Sequence, residues 1–130
     1  MMLARLTLYL FAAGLLCFGA LFLVAPTSLT TLVQVSLPTS SASTEVRGAY
    51  GGLSIGTALF FLSCARRRSW LRPGIVALVL ISGGLTVGRI LGLLIDGPAI
   101  PSIYVLIAAE GAVFVMGLIG WRKLDGEDPG

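Results

Sequence analysis

The chain has 130 residues, of which 56% are hydrophobic and only 12% charged, against about 25% charged in an average soluble domain. Lipid is the solvent this composition suits, and four spans of about 20 residues leave no room for a soluble catalytic domain. Histidine is absent, which excludes Ser-His-Asp and Cys-His catalysis, histidine proton shuttles and histidine metal sites within this chain.

The first apolar run predicts a helix over about 3–24, with Arg5 at its start and Pro26 after its end. A signal peptide has the same order of parts, but this run is long, and Pro26 would directly follow Ala25, the best cleavage residue. Cys17 follows Leu16, where a lipoprotein signal needs a small residue, so the helix is expected to be retained. From Pro26 to Thr44 the composition turns to Ser and Thr. Leu29, Leu32, Val33 and Leu37 recur there at spacings of three and four, which predicts a short interfacial helix between helices one and two.

Helix two is predicted over about 45–65, capped by Ser43 or Thr44, with Glu45 near its positive end. Arg66, Arg67, Arg68 and Arg72 crowd the following loop, and Pro73 suits the first position of helix three, predicted over 73–95. Asp96, Gly97 and Pro98 supply a turn. Pro101 then opens helix four, which is expected to stop at an interfacial aromatic, Trp121. An acidic tail over 124–130 is expected to be disordered.

Cys17 and Cys64 fall toward opposite ends of their helices, too far apart for a disulfide, and read as small packing residues. Arg5, the loop arginines, Arg122 and Lys123 all fall on one side of this arrangement, and Arg47 alone on the other. That asymmetry points to a multi-pass protein of the inner or plasma membrane with both termini cytoplasmic. It also explains the formal charge of +3 without nucleic acid, since the bases mark helix ends and are not spread over a polar face with interleaved aromatics. The expected fold is all-α, a four-helix up-and-down transmembrane bundle.

Gly48, Gly52 and Gly56 on helix two, and Gly84, Gly88 and Gly92 on helix three, each recur at intervals of four. Association in lipid depends on close backbone approach, which such smooth stripes allow. They are expected to pack helices two and three as a tight pair, with dimerisation between subunits as the competing use. Phosphate-binding loops do not fit, because these glycines lie inside apolar helical runs.

The ionisable residues within the spans are the anomaly. Arg89 on helix three and Glu110 on helix four lie in the outer half, with Arg47 and Asp96 nearer the outer ends. A charge placed centrally costs about 2.5–3.5 kcal/mol on insertion scales, so the two should pair. Depth permits it, since Glu110 is about 13 Å and Arg89 about 9 Å below the outer ends of their helices. Tyr50 and Ser54 on helix two, with Arg47 a turn above, complete a polar cluster that could form a cup opening outward. In a wet cup Glu110 is ionised and Arg89 answers it; in a dry one the pair shares hydrogen bonds or Glu110 is protonated.

Three readings stay open for this cluster: polar glue fixing the bundle's register, a site for a small anionic or polar ligand or lipid, or an enzyme using Glu110 as acid or base. The last lacks a visible nucleophile, metal or second base. No catalytic residue, metal ligand or cofactor is assigned. The expected surroundings are the lipid bilayer, with other membrane proteins or further copies of the chain as candidate partners.

The block Glu45-Val46-Arg47-Gly48-Ala49-Tyr50-Gly51-Gly52, followed by Gly88-Arg89, Asp96-Gly97 and then Glu110, resembles a bacterial family, domain of unknown function 4345. The resemblance covers about Leu6 to Trp121. It implies a small four-helix membrane protein without an assigned activity. It supports the same selection of residues and supplies no substrate. The leading expectation is a structural or accessory membrane component; the alternative is a polar-ligand or lipid binder, transporter subunit or enzyme built on Arg89 and Glu110.

Overall fold

The computed structural model describes residues 1–127. The elements are α1 (Met2–Val24), α2 (Pro26–Thr31), α3 (Ser40–Val46), a π-helical stretch (Arg47–Gly52), α4 (Leu53–Arg66), α5 (Arg68–Asp96) and α6 (Pro101–Glu127), with no β-strand among the described residues. The π stretch joins α3 to α4 without a break, so together they make one span. Four helices are thus long and apolar enough to cross a membrane, Met2–Val24, Ser40–Arg66, Arg68–Asp96 and Pro101–Gly126. The chain is an all-α, multi-pass membrane protein.

Its closest helix pairs are α1 with the second span and α5 with α6, while α4 touches α5 and α1 touches α6. The shared core lies at the end of the bundle where α1 begins. Ala4, Leu8 and Ala12 meet there with Ala58, Phe61, Cys64 and Ala65 of α4 and with Leu71, Ile75 and Leu78 of α5. Half of these are alanine or cysteine, which lets the helices come close, as association in lipid depends on packing contact and not on expulsion of water. The buried hydroxyls of Thr7 and Ser82 donate to their own helices, to the carbonyls of Leu3 at 2.9 Å and Leu78 at 2.7 Å. This satisfies them without a cross-helix partner. Beyond Ser82 on α5, and before Gly117 on α6, no described residue of either helix is buried.

Several element ends differ from expectation. The second span begins earlier, because the Thr39 hydroxyl accepts from the Ala42 N–H at 3.1 Å and caps α3. Thr44, expected as a cap, lies inside the helix and donates to the Ser40 carbonyl at 2.9 Å. Between α4 and α5 only Arg67 leaves helical geometry. Pro73 therefore sits inside α5 and not at its start, because Leu71, 1% exposed, anchors the preceding turn in the core. At the other end of the chain α6 continues past Trp121, since Leu124 packs against the core and Asp125 pairs with Arg72 at 2.8 Å. Residues 128–130, the rest of the expected tail, lie outside the described residues.

A short helix, α2, does lie between the first and second spans with Pro26 in its first turn, but of the four apolar residues expected to carry it only Leu29 falls inside, and Leu32, Val33 and Leu37 follow its end. It ends where Gln34 takes φ +58, with the Val35 N–H reaching the Thr30 carbonyl at 2.9 Å and the Gln34 N–H the Thr31 carbonyl at 3.1 Å. This is a left-handed helix stop of Schellman type. The Ser102 hydroxyl, in the first turn of α6, donates to the Leu32 carbonyl at 2.6 Å and ties this connection to the fourth span.

A candidate polar site within the spans

α5 ends at Gly97, whose φ of +97 is open to glycine without strain, and α6 returns from Pro101 as its antiparallel neighbour. This hairpin sets Arg89 and Glu110 opposite each other. Arg89 Nη1 donates to Glu110 Oε2, a charge-assisted hydrogen bond and an ion pair at once. The side chains are 28% and 15% exposed. Either charge alone would carry the full cost of an ion in an apolar medium, and opposition removes most of it.

Further toward the turn lies a hollow of about 300 Å³, with Arg89 and Asp96 as its charged walls and Leu93, Pro98 and Ile103 among its apolar ones. Asp96 is exposed, and among the described residues its carboxylate has no ion-pair partner. Arg89 and Asp96 thus face one space without touching the same group.

The other members of the expected cluster belong to a different contact. Tyr50 stacks on Phe22 of α1, with ring centroids 5.4 Å apart and planes inclined by 26°. Ser54 lies against Gly19, where a built Cβ would come to 3.1 Å from the serine Cβ. Arg47 is exposed at the start of the π stretch. Among the described residues none of the three bonds to Arg89 or Glu110: Tyr50 and Ser54 pack on α1, and Arg47 lies exposed apart from both sets.

The π stretch sets how Arg47 and Tyr50 are turned relative to α4, the helix that carries Ser54. The Leu53 N–H bonds to the Gly48 carbonyl, five residues back, so this segment holds one residue more than an α-helical turn, and everything before it rotates relative to α4. Gly51 is brought against α1: a Cβ on Gly19 would stand 2.8 Å from the Gly51 carbonyl oxygen, and one on Gly51 2.8 Å from Leu23 Cδ2. The glycine stripes expected to bind helices two and three do not do so. A Cβ at Gly48, Gly56, Gly84, Gly88 or Gly92 would meet nothing within 4 Å, and at Gly52 only the Arg47 carbonyl, at 3.9 Å. The second and third spans approach instead through Cys64 and Gly74, and α5 meets α6 through Gly83 against Phe114 and Gly117 against Leu78 and Val79. Both cysteines are free.

The family model described as domain of unknown function (DUF4345) matches residues 3–121. The chain belongs to the DUF4345 family. No curated protein and no solved structure matches it. In this DUF4345 chain the matched stretch contains the α5–α6 ion pair, the hollow and the π stretch, and stops short of the last turn of α6. Gly19, Gly51 and Phe22, which make the α1 contact, carry no regular spacing that marks them in the sequence. The Tyr50-Gly51-Gly52 run is the one sequence signal that could have drawn attention to them, since paired glycines after an aromatic mark a place where backbone comes close.

Proposed function

We propose that this DUF4345 chain is a non-catalytic accessory component of a cell's inner or plasma membrane, one that packs against other membrane proteins. The observation that carries this reading is the engagement of Arg89 by Glu110. Arg89 and Glu110 answer each other's charge and hold α5 against α6 through one guanidinium nitrogen, while Tyr50 and Ser54 are packed on α1.

A face for a partner is available on the same hairpin. In their most apolar windows α5 and α6 are 17% and 11% buried, against 28% for each of the other two spans. Gly84 and Gly88 add smooth, unfilled surface there, the kind of surface on which membrane helices associate.

Both termini are assigned to the cytoplasm. Arg66, Arg67, Arg68 and Arg72 lie at the α4–α5 junction, and the Ala4–Gly120 contact and the Arg72–Asp125 pair bring Arg5, Arg122 and Lys123 to that same end.

Extraction in a gentle detergent followed by mass spectrometry of the intact assembly tests the accessory role. A stoichiometric protein partner is expected. Repeated recovery of the chain alone, from cells expressing it at its native level, would count against the proposal.

A further inference from the structure

We infer that the hollow at the α5–α6 turn binds the phosphoethanolamine headgroup of a phospholipid, with Arg89 holding the phosphate and Asp96 the ammonium. This goes beyond the accessory role and does not depend on it.

The charges around the hollow select the ligand. A guanidinium has five N–H donors in a fixed fork, and Arg89 uses one terminal nitrogen on Glu110. Its other donors and the Asp96 carboxylate have no ion-pair partner among the described residues. Counting Glu110, the site holds one cation and two anions, a net charge of −1, so its first attraction is for a cation at Asp96. The unused edge of the Arg89 guanidinium then offers hydrogen-bond donors to an anionic group carried on the same ligand, and a zwitterion uses both.

The kind of zwitterion follows from the walls. A primary ammonium donates hydrogen bonds that a carboxylate accepts. A quaternary ammonium has none to donate and is held by aromatic faces, and the residues lining the hollow include no aromatic ring. Ethanolamine fits this lining and choline does not.

Position and size favour a lipid over a free small molecule. The hollow sits at the turn where α5 ends, the level at which a span of this length leaves the apolar layer, and Leu93 and Ile103 are apolar parts of its wall. The hollow is an open depression of about 300 Å³, in which a headgroup can lie while its acyl chains remain in the bilayer. Gly92 leaves the space clear, because a Cβ there would meet nothing within 4 Å.

The test uses the full chain in detergent, with phosphatidylethanolamine, phosphatidylcholine and phosphatidylglycerol of identical acyl chains added in turn and retention read by native mass spectrometry. Phosphatidylethanolamine should be retained about tenfold more than phosphatidylcholine, the effect of one charge-assisted hydrogen bond. Asp96→Asn should bring that ratio near one. Gly92→Leu should fill the hollow and release both lipids, with helical content and melting unchanged.

Equal retention of the ethanolamine and choline lipids by the wild-type chain would overturn the proposal. So would a preference that survives Asp96→Asn, undiminished binding to Gly92→Leu, or stronger retention of phosphatidylglycerol. Displacement of the lipid by water-soluble glycerophosphoethanolamine at equal concentration would assign the hollow to a free zwitterion and overturn the lipid assignment. If Asp96→Asn does not fold, the wild-type ratio and Gly92→Leu still decide.

Discussion

Arg89 and Glu110 reach each other across the α5–α6 hairpin in the half of the bundle where neither helix has a buried residue. With no fully buried apolar residue there, the ion pair is a polar link between the two helices on the turn side of the Gly83–Phe114 contact. Glu110→Leu alone leaves a cation without its partner and should lower stability by about 3 kcal/mol. Arg89→Met combined with Glu110→Leu should return to within about 1 kcal/mol of the wild type, because two apolar side chains satisfy each other in lipid. Detergent-denaturation curves on the three proteins measure this. A double variant as unstable as the single one would show that the pair stabilises the bundle in its own right.

Glycine substitutions should divide sharply by position. Gly19→Ala places a methyl 2.8 Å from the Gly51 carbonyl and should cost about 1–3 kcal/mol through overpacking. Gly56→Ala and Gly84→Ala put theirs in open space and should leave stability unchanged or raise it by up to about 1 kcal/mol, since alanine loses less backbone entropy than glycine inside a helix. Thermal melts in one detergent separate the two classes. If the stripe glycines serve self-association, their variants will instead show a change in oligomer mass at unchanged melting temperature.

The junction of the second and third spans offers a reciprocal test. A Cβ on Gly74 would lie 2.5 Å from the Cys64 Cβ, closer than side chains approach, so Gly74→Ala should destabilise by about 1–3 kcal/mol. Adding Cys64→Gly moves the small residue to the other helix and should recover about 1 kcal/mol of that loss. Strict additivity in the double-mutant cycle would mean that these two positions do not meet in the folded protein.

Topology can be read by fusion. A reporter active only in the cytoplasm, joined after Gly130, should be active, and replacing Arg66, Arg67, Arg68 and Arg72 by asparagine should produce a mixed population of orientations. A reporter at Gly130 that is active only when exported would reverse the assignment of both termini.

What could be read from the residues, and what could not, follows the range of the forces involved. Apolar run length gave four spans, and the cost of a lone charge in lipid gave the Arg89–Glu110 pair from depth alone. Those arguments need only the chain and its solvent. The Thr39 cap is not legible in the residues because Ser40, Ser41, Ser43 and Thr44 offer equivalent hydroxyls nearby, and only the fold selects among them. Leu71 and Leu124 carry α5 and α6 past the expected ends because both find the core, a contact that no local pattern contains.

The division is clearest at Arg47–Gly52. The residues alone fixed that this segment lies in a membrane span and that it is rich in glycine. Which glycine meets another helix depends on how the helix is rotated about its axis, and a single π turn changes that rotation for every residue before it. That turn forms where Gly51 approaches Gly19 and Tyr50 stacks on Phe22, contacts about thirty residues apart in the chain. Solvent sets how many helices there are and which charges must be neutralised; neighbouring helices alone set which way each face points.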